Sequence, residues 1–130
     1  MVLAEAARLL DFSEPVAVML ISVLHLIGDE DDPHAIVTRL MEAVPSGSWL
    51  ALSHPARDVC PHQVTEAASR FNQLAPANAT LRTRAEILRF FDGLDLLEPG
   101  LVQVHRWRPG LAAPRHNQQT AGYCGLARKT

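Results

Sequence analysis

The fold of this chain turns on the stretch P-V-A-V-M-L-I-S-V-L-H-L-I-G-D-E-D-D, residues 15–32. Residues 16–21 are apolar without a break and rich in branched side chains, the pattern of a strand buried on both faces of a parallel sheet. Polarity then changes abruptly, through Ser22 and His25 to four consecutive acids, Asp29, Glu30, Asp31 and Asp32. In open α/β sheets ligands bind at the carboxyl ends of the strands, which places Ser22, Leu24 and His25 at an expected ligand-facing edge.

Working outward, Asp32 followed by Pro33 reads as a helix start, an N-cap side chain with proline at the first helical position. Ile36, Val37, Leu40, Met41 and Val44 form its apolar stripe, and Pro45-Ser46-Gly47 ends it. Residues 48–53, S-W-L-A-L-S, read as a second strand. Strand, helix and strand in about forty residues make a βαβ unit, whose default is a right-handed parallel crossover. Val64, Ala67, Ala68 and Phe71 mark a third helix. A fourth has a capping box at Thr83-Arg84-Ala85-Glu86, an apolar set of Ile87, Leu88, Phe90 and Phe91, and Gly93 as its stop. Residues 94–98 and 101–105 read as one long strand bent at Pro99-Gly100, and residues 123–128 as a last strand beyond a long loop. Upstream, Leu3, Ala6, Ala7 and Leu10 fall on one face of a short amphipathic helix. Pro15 opens the first strand, where no ladder donor is required.

At 130 residues and 48% hydrophobic, the chain has one domain's worth of core-forming sequence. Twelve basic residues are scattered among fourteen acids, giving a net charge of -2 and no electrostatic footprint for nucleic acid. The longest apolar run is too short for a membrane span, and the first ten residues lack the pattern of a signal peptide, so a cytoplasmic location with no membrane partner is expected. Cys60 and Cys124 are then free thiols.

Several motifs occur together and in order: L-H-x-x-x-D-E-D-D-P from Leu24, P-x-G-S-W-L-A-L-S-H from Pro45, F-F-D-G-L-x-L-L-E-P-G-L-V from Phe90, W-R-P from Trp107 and G-Y-x-G-x-x-R-K from Gly122. This set resembles the actinobacterial S-adenosylmethionine-dependent methyltransferases of the DUF574 type, over residues 10–129. The resemblance implies an α/β fold, a partial Rossmann-like class I methyltransferase sheet with flanking helices. The chain would supply strands four to seven, the last inserted antiparallel between its two predecessors. It further implies a single domain, residues 1–130, equivalent to the C-terminal part of that fold, because no counterpart of the family's first strand, glycine-containing cofactor loop and ribose-holding acid precedes it. The implied function is methyl transfer from S-adenosylmethionine to a small-molecule acceptor. The alternative is a catalytically inactive half-domain that works by dimerising or docking. Without strands one to three, the strand at residues 16–22 becomes an open edge, through which a homodimer is expected.

On this resemblance His25 is the catalytic residue, taking a proton from the accepting hydroxyl, a role open to an imidazole with an ordinary pKa of about 6.5. Ser22 and Leu24 fall on the cofactor side. Small-molecule O-methyltransferases usually continue with Asp-Trp after that histidine, where Leu26 and Ile27 stand here. The competing reading packs His25 under the next helix against a backbone carbonyl. His54, at the carboxyl end of the second strand, is expected to face the substrate beside His25. Trp107, between Arg106 and Arg108, either stacks on a ligand or covers the sheet edge. The acids at 29–32 are better explained by helix capping than by a metal. His54, Cys60 and His62 have a loose zinc-like spacing that Pro55 and Pro61 interrupt, so no metal is expected. No glycine pattern here forms a phosphate-binding turn between a strand and a helix.

Overall fold

A computed structural model describes residues 2–58, 79–108 and 122–130. Strand β1 (Ala17–Ile21) lies parallel to β2 (Trp49–Pro55), with Ala17 opposite Trp49 and Ile21 opposite Ser53. Helix α2 (Pro33–Glu42) joins them and follows a short helix α1 (Val2–Ala7) in chain order. Strand β5 (Gly122–Arg128) runs antiparallel to β2, from Trp49 opposite Arg128 to Pro55 opposite Gly122. Its far side pairs antiparallel with β3 (Asp95–Leu96) and β4 (Val102–Gln103). Among the described residues the sheet therefore has five strands in the order β1-β2-β5-β3, with β4 also on β5. The last strand of the chain is thus inserted antiparallel between its predecessors, as the resemblance implies.

The alternation of each strand chooses the core face. Leu50, Leu52 and His54 of β2 are buried, and across from them stand Ala127, Gly125 and Tyr123 of β5. Val37 and Met41 of α2 close over this face, and so do Ile87 of α3 (Arg84–Leu88) and Phe90 and Phe91 just after it. Gly125 admits the Phe91 ring, since a Cβ there would stand 3.0 Å from Phe91 Cζ. The capping signals are realised. Asp32 accepts from the Ala35 amide at 3.3 Å, and Thr83 and Glu86 exchange both bonds of a capping box. At the other end of α2, Lys129 Nζ donates to the carbonyls of Met41 and Val44, each at 2.7 Å, tying the helix terminus to the sheet. Gly93 takes φ 80° as the stop after Phe91.

Three expectations are corrected. Strand β1 is not buried on both faces: Val18 and Leu20 pack on the core, whereas Met19 is 66% and Ile21 50% exposed. At the edge of the sheet, the unbroken apolar run supplies one face more than the described core covers. The long bent strand is two short ones, because the chain turns at Gly100, whose amide bonds to the Leu97 carbonyl at 2.8 Å, and then winds into a 3₁₀ turn over Val104–Arg106. The first helix ends at Ala7 and buries no residue, so its stripe does not continue to Leu10, which is exposed. The helix expected around residues 64–71 and the loop at 109–121 lie outside the described residues. Among those described, no helix is long and apolar enough to cross a membrane.

Candidate active site

The carboxyl ends of β1 and β2 are adjacent because the two strands are parallel. At the end of β1, Ser22 adopts the left-handed conformation with φ 52°, a strained backbone for a residue with a side chain. It is held there by Ser53: the Ser22 amide donates to the Ser53 carbonyl at 3.1 Å and to its Oγ at 3.0 Å, and the two hydroxyls stand 3.3 Å apart. The bend throws the chain into a 3₁₀ turn, Leu24–Leu26, and puts His25 beside His54, with ring centroids 6.1 Å apart and planes at 73°. Ser22, His25, Ser53, His54, Val104 and Tyr123 line a cleft of about 500 Å³. None of the described residues lining it is charged.

His54 forms the floor and is 1% exposed. Its Nδ1 lies 2.7 Å from the Pro55 carbonyl, to which it donates, and its Nε2 accepts from Arg82 Nη1 at 2.8 Å. The ring is therefore neutral, with the proton on Nδ1. Burial pushes its pKa down to about 4, helped by the Arg82 charge and opposed by the bond to Pro55. The pKa of His25 is also lowered, first by burial and then by Arg82. Both imidazoles are thus held in the uncharged form near neutral pH. Burial, followed by the charge of Asp58, raises the pKa of Tyr123 and keeps its hydroxyl protonated.

The structure brings Ser22, His25 and His54 together as the sequence suggested, and it separates the other two candidates from them. The Leu24 side chain is 1% exposed within the core, and its carbonyl accepts from Arg82 Nη1 at 3.1 Å. Trp107 does not line the cleft; Arg108 lies over its ring, 5.2 Å from the centroid, and donates to the Glu98 carbonyl. Asp32 caps α2 and Asp29 pairs with Arg82, so two of the four acids have structural work. Among the described residues no group of three or more His, Cys, Asp or Glu could hold a metal ion. Cys60 and His62 lie outside them. Arg82 is the residue that sequence reasoning missed. It stands one position before the Thr83 cap with no motif around it, and its partners are 28 to 58 residues away.

A mixed sheet with an antiparallel insertion, and a cleft at the carboxyl ends of its parallel strands, define a Rossmann-like fold of the class I methyltransferase type. All 130 residues match the model of the S-adenosyl methyltransferase family, and the chain belongs to that family. A DUF574 family protein from Streptomyces avermitilis superposes with a TM-score of 0.90 at 38% identity, over 100% of this chain and 53% of that one. A protein described as a methyltransferase, from Thermobifida fusca, gives 0.85 at 28% identity, over 97% of this chain and 47% of that one. A SAM-dependent methyltransferase from Methanosarcina mazei, 11% identical with a TM-score of 0.58 over 87% of this chain and 58% of that one, shares the fold. The chain spans about half the length of these solved structures. Among curated proteins none matches it.

Proposed function

We propose that this chain carries the acceptor side of an S-adenosylmethionine-dependent methyl-transfer site, acting on a small molecule bound in the cleft between Ser22 and Tyr123. The observation that carries the reading is the neutral His25 imidazole at the carboxyl end of β1, on the wall of an uncharged cleft. The cleft fits the cofactor's acceptor side. Its lining has hydroxyls and imidazoles and, among the described residues, no lysine or arginine to repel a sulfonium. When bound, S-adenosylmethionine supplies an electrophilic methyl group. Ser22 stands on the cofactor side of the turn, and the Leu24 backbone holds that turn in place. His25 takes the proton from the acceptor hydroxyl at its ring nitrogen. The ring of His54, with both nitrogens engaged, shapes the floor against the acceptor and leaves proton transfer to His25. Orientation of the acceptor against the methyl donor supplies most of the rate, and proton removal adds to it.

Calorimetric titration of the chain with S-adenosylhomocysteine tests the reading. Binding in the micromolar range is expected, and His25→Ala should retain it while losing methyl transfer; a folded sample that takes up no S-adenosylhomocysteine would sink the proposal. Because the pKa of His25 is lowered, its uncharged form persists below pH 6.5, and the acid limb of the transfer rate should fall below that value.

A second reading, a half-domain that acts by association without turnover, is favoured by one observation. Strand β1 pairs on one side only among the described residues, and Met19 and Ile21 are exposed beside that edge. An apolar edge strand is a template for another chain, and a homodimer through β1 would satisfy it. The two readings are compatible if the cofactor site is completed across this edge.

A further inference from the structure

Arg82 is 1% exposed, and a guanidinium has five N–H groups to satisfy. All five find acceptors. Nε and Nη2 donate to Asp29 Oδ1 at 3.3 and 2.9 Å, and Nη2 also donates to the Ile27 carbonyl at 2.8 Å. Nη1 donates to the Leu24 carbonyl at 3.1 Å and to His54 Nε2 at 2.8 Å. Leu24 and Ile27 bracket His25 in the chain, and the His25 carbonyl itself accepts from the Thr80 amide at 2.7 Å. Three carbonyls of one turn are therefore gripped by residues 80–82. That segment is anchored in turn to the end of β2, where the Arg57 amide donates to the Arg82 carbonyl at 3.0 Å and Ala56 pairs with Arg82.

We propose that Arg82 is the positioning residue of this site: its planar fork locks the turn bearing His25 to the floor residue His54 and holds the two imidazoles at their observed separation. A guanidinium donates and never accepts, so it also requires the lone pair of His54 to be on Nε2 and the proton on Nδ1, the arrangement that the Pro55 carbonyl demands. Lysine cannot substitute, because a point charge with three donors does not span four acceptors lying around a plane. Asp29 completes the device from outside. Its carboxylate balances the buried charge, and its own pKa is lowered by the hydrogen bonds and the charge of Arg82. The catalytic meaning of this positioning rests on the methyltransferase reading above, whereas the positioning itself does not.

The test is an NMR titration of the histidine rings in the full chain, comparing wild type with Arg82→Lys and Arg82→Met. The titratable and charged groups acting on His54 are Arg82, His25 and Glu86, and on His25 the main one is Arg82. In wild type His54 should show the Nδ1–H tautomer and stay neutral to about pH 4. Arg82→Lys keeps the charge and loses the fork, and it should shift the ring signals of both His25 and His54. Arg82→Met loses both, and the two rings should titrate higher than in wild type. A role confined to stability lowers the melting temperature and leaves the rings of the folded variant unmoved; that result overturns the proposal. If the buried substitutions do not fold, Asp29→Ala takes their place, since its side chain is 71% exposed and it removes two of the five bonds without opening the core. It should shift His25 and the amides of residues 24–27, and unchanged signals there again overturn the proposal. Binding of S-adenosylhomocysteine by the wild-type sample is read separately: its failure removes the methyltransferase reading and leaves the ring signals to decide the role of Arg82.

Discussion

His54 gives this protein a pH dependence whose sign follows from its surroundings. Its pKa is near 4 when folded and returns to about 6.5 when exposed. Between those values the unfolded chain binds more protons, so stability is complete above pH 6.5, falls as the pH drops toward 4 and levels off below. At about 1.4 kcal/mol per pH unit the loss is roughly 3 kcal/mol. Thermal melting across that range should show the decline, and His54→Gln should flatten it; a wild-type curve equally flat would contradict the buried neutral ring. His25, lowered in the same direction, adds a smaller contribution of the same sign. Both histidines could be read from the sequence because each is a polar residue at the end of an apolar run, where a strand meets a ligand edge. Arg82 could not be, since its role lies wholly in acceptors brought to it from β2 and from the turns that follow β1.

At the scale of elements, the caps are local and were legible in the sequence, as were β1, β2 and β5, whereas the division of the strand around Gly100 was not. Thr83→Ala removes the hydroxyl that accepts from the Glu86 amide at 3.3 Å and donates to Glu86 Oε1 at 3.0 Å. It should cost about 1 kcal/mol in denaturant unfolding, the usual value of an N-cap. The two glycines of β5 should differ in their response to alanine. A Cβ on Gly122 would stand 2.7 Å from the backbone oxygen of His54, and one on Gly125 would meet the edge of the Phe91 ring at 3.0 Å. A strand must shift for the first and only a side chain for the second. Gly122→Ala is therefore expected to destabilise by about 1–3 kcal/mol and Gly125→Ala by less, and the reverse order in melting experiments would contradict the register of β5 on β2. The break between β3 and β4 depends on which residues meet β5, and periodicity along one strand does not contain that information.

For the whole molecule, the edge strand β1 sets the expected association. Alternation along β1 turns Met19 and Ile21 outward at the sheet edge, opposite the face that packs on the core. Sedimentation of the chain should show association that weakens with dilution, and Met19→Lys combined with Ile21→Lys should shift it to monomer without lowering the melting temperature. Persistent association in that double variant would move the interface away from this edge. The strand order itself entered through resemblance, since hydrophobic patterns identify strands but say nothing of their neighbours.

Local chemistry is what the sequence determined by itself: the parallel pair β1 and β2 around a capped helix, the histidines at their carboxyl ends and the capping box at Thr83. These depend on residues close together in the chain, where spacing and side-chain type act directly. The tertiary structure decided the rest. It exposed one face of an apolar strand, enclosed Leu24, set Trp107 apart from the cleft and converged five donors of one arginine on four acceptors from distant segments. Each of these depends on which surfaces meet when the chain closes, and burial and hydrogen bonding at such meetings are properties of the packed fold.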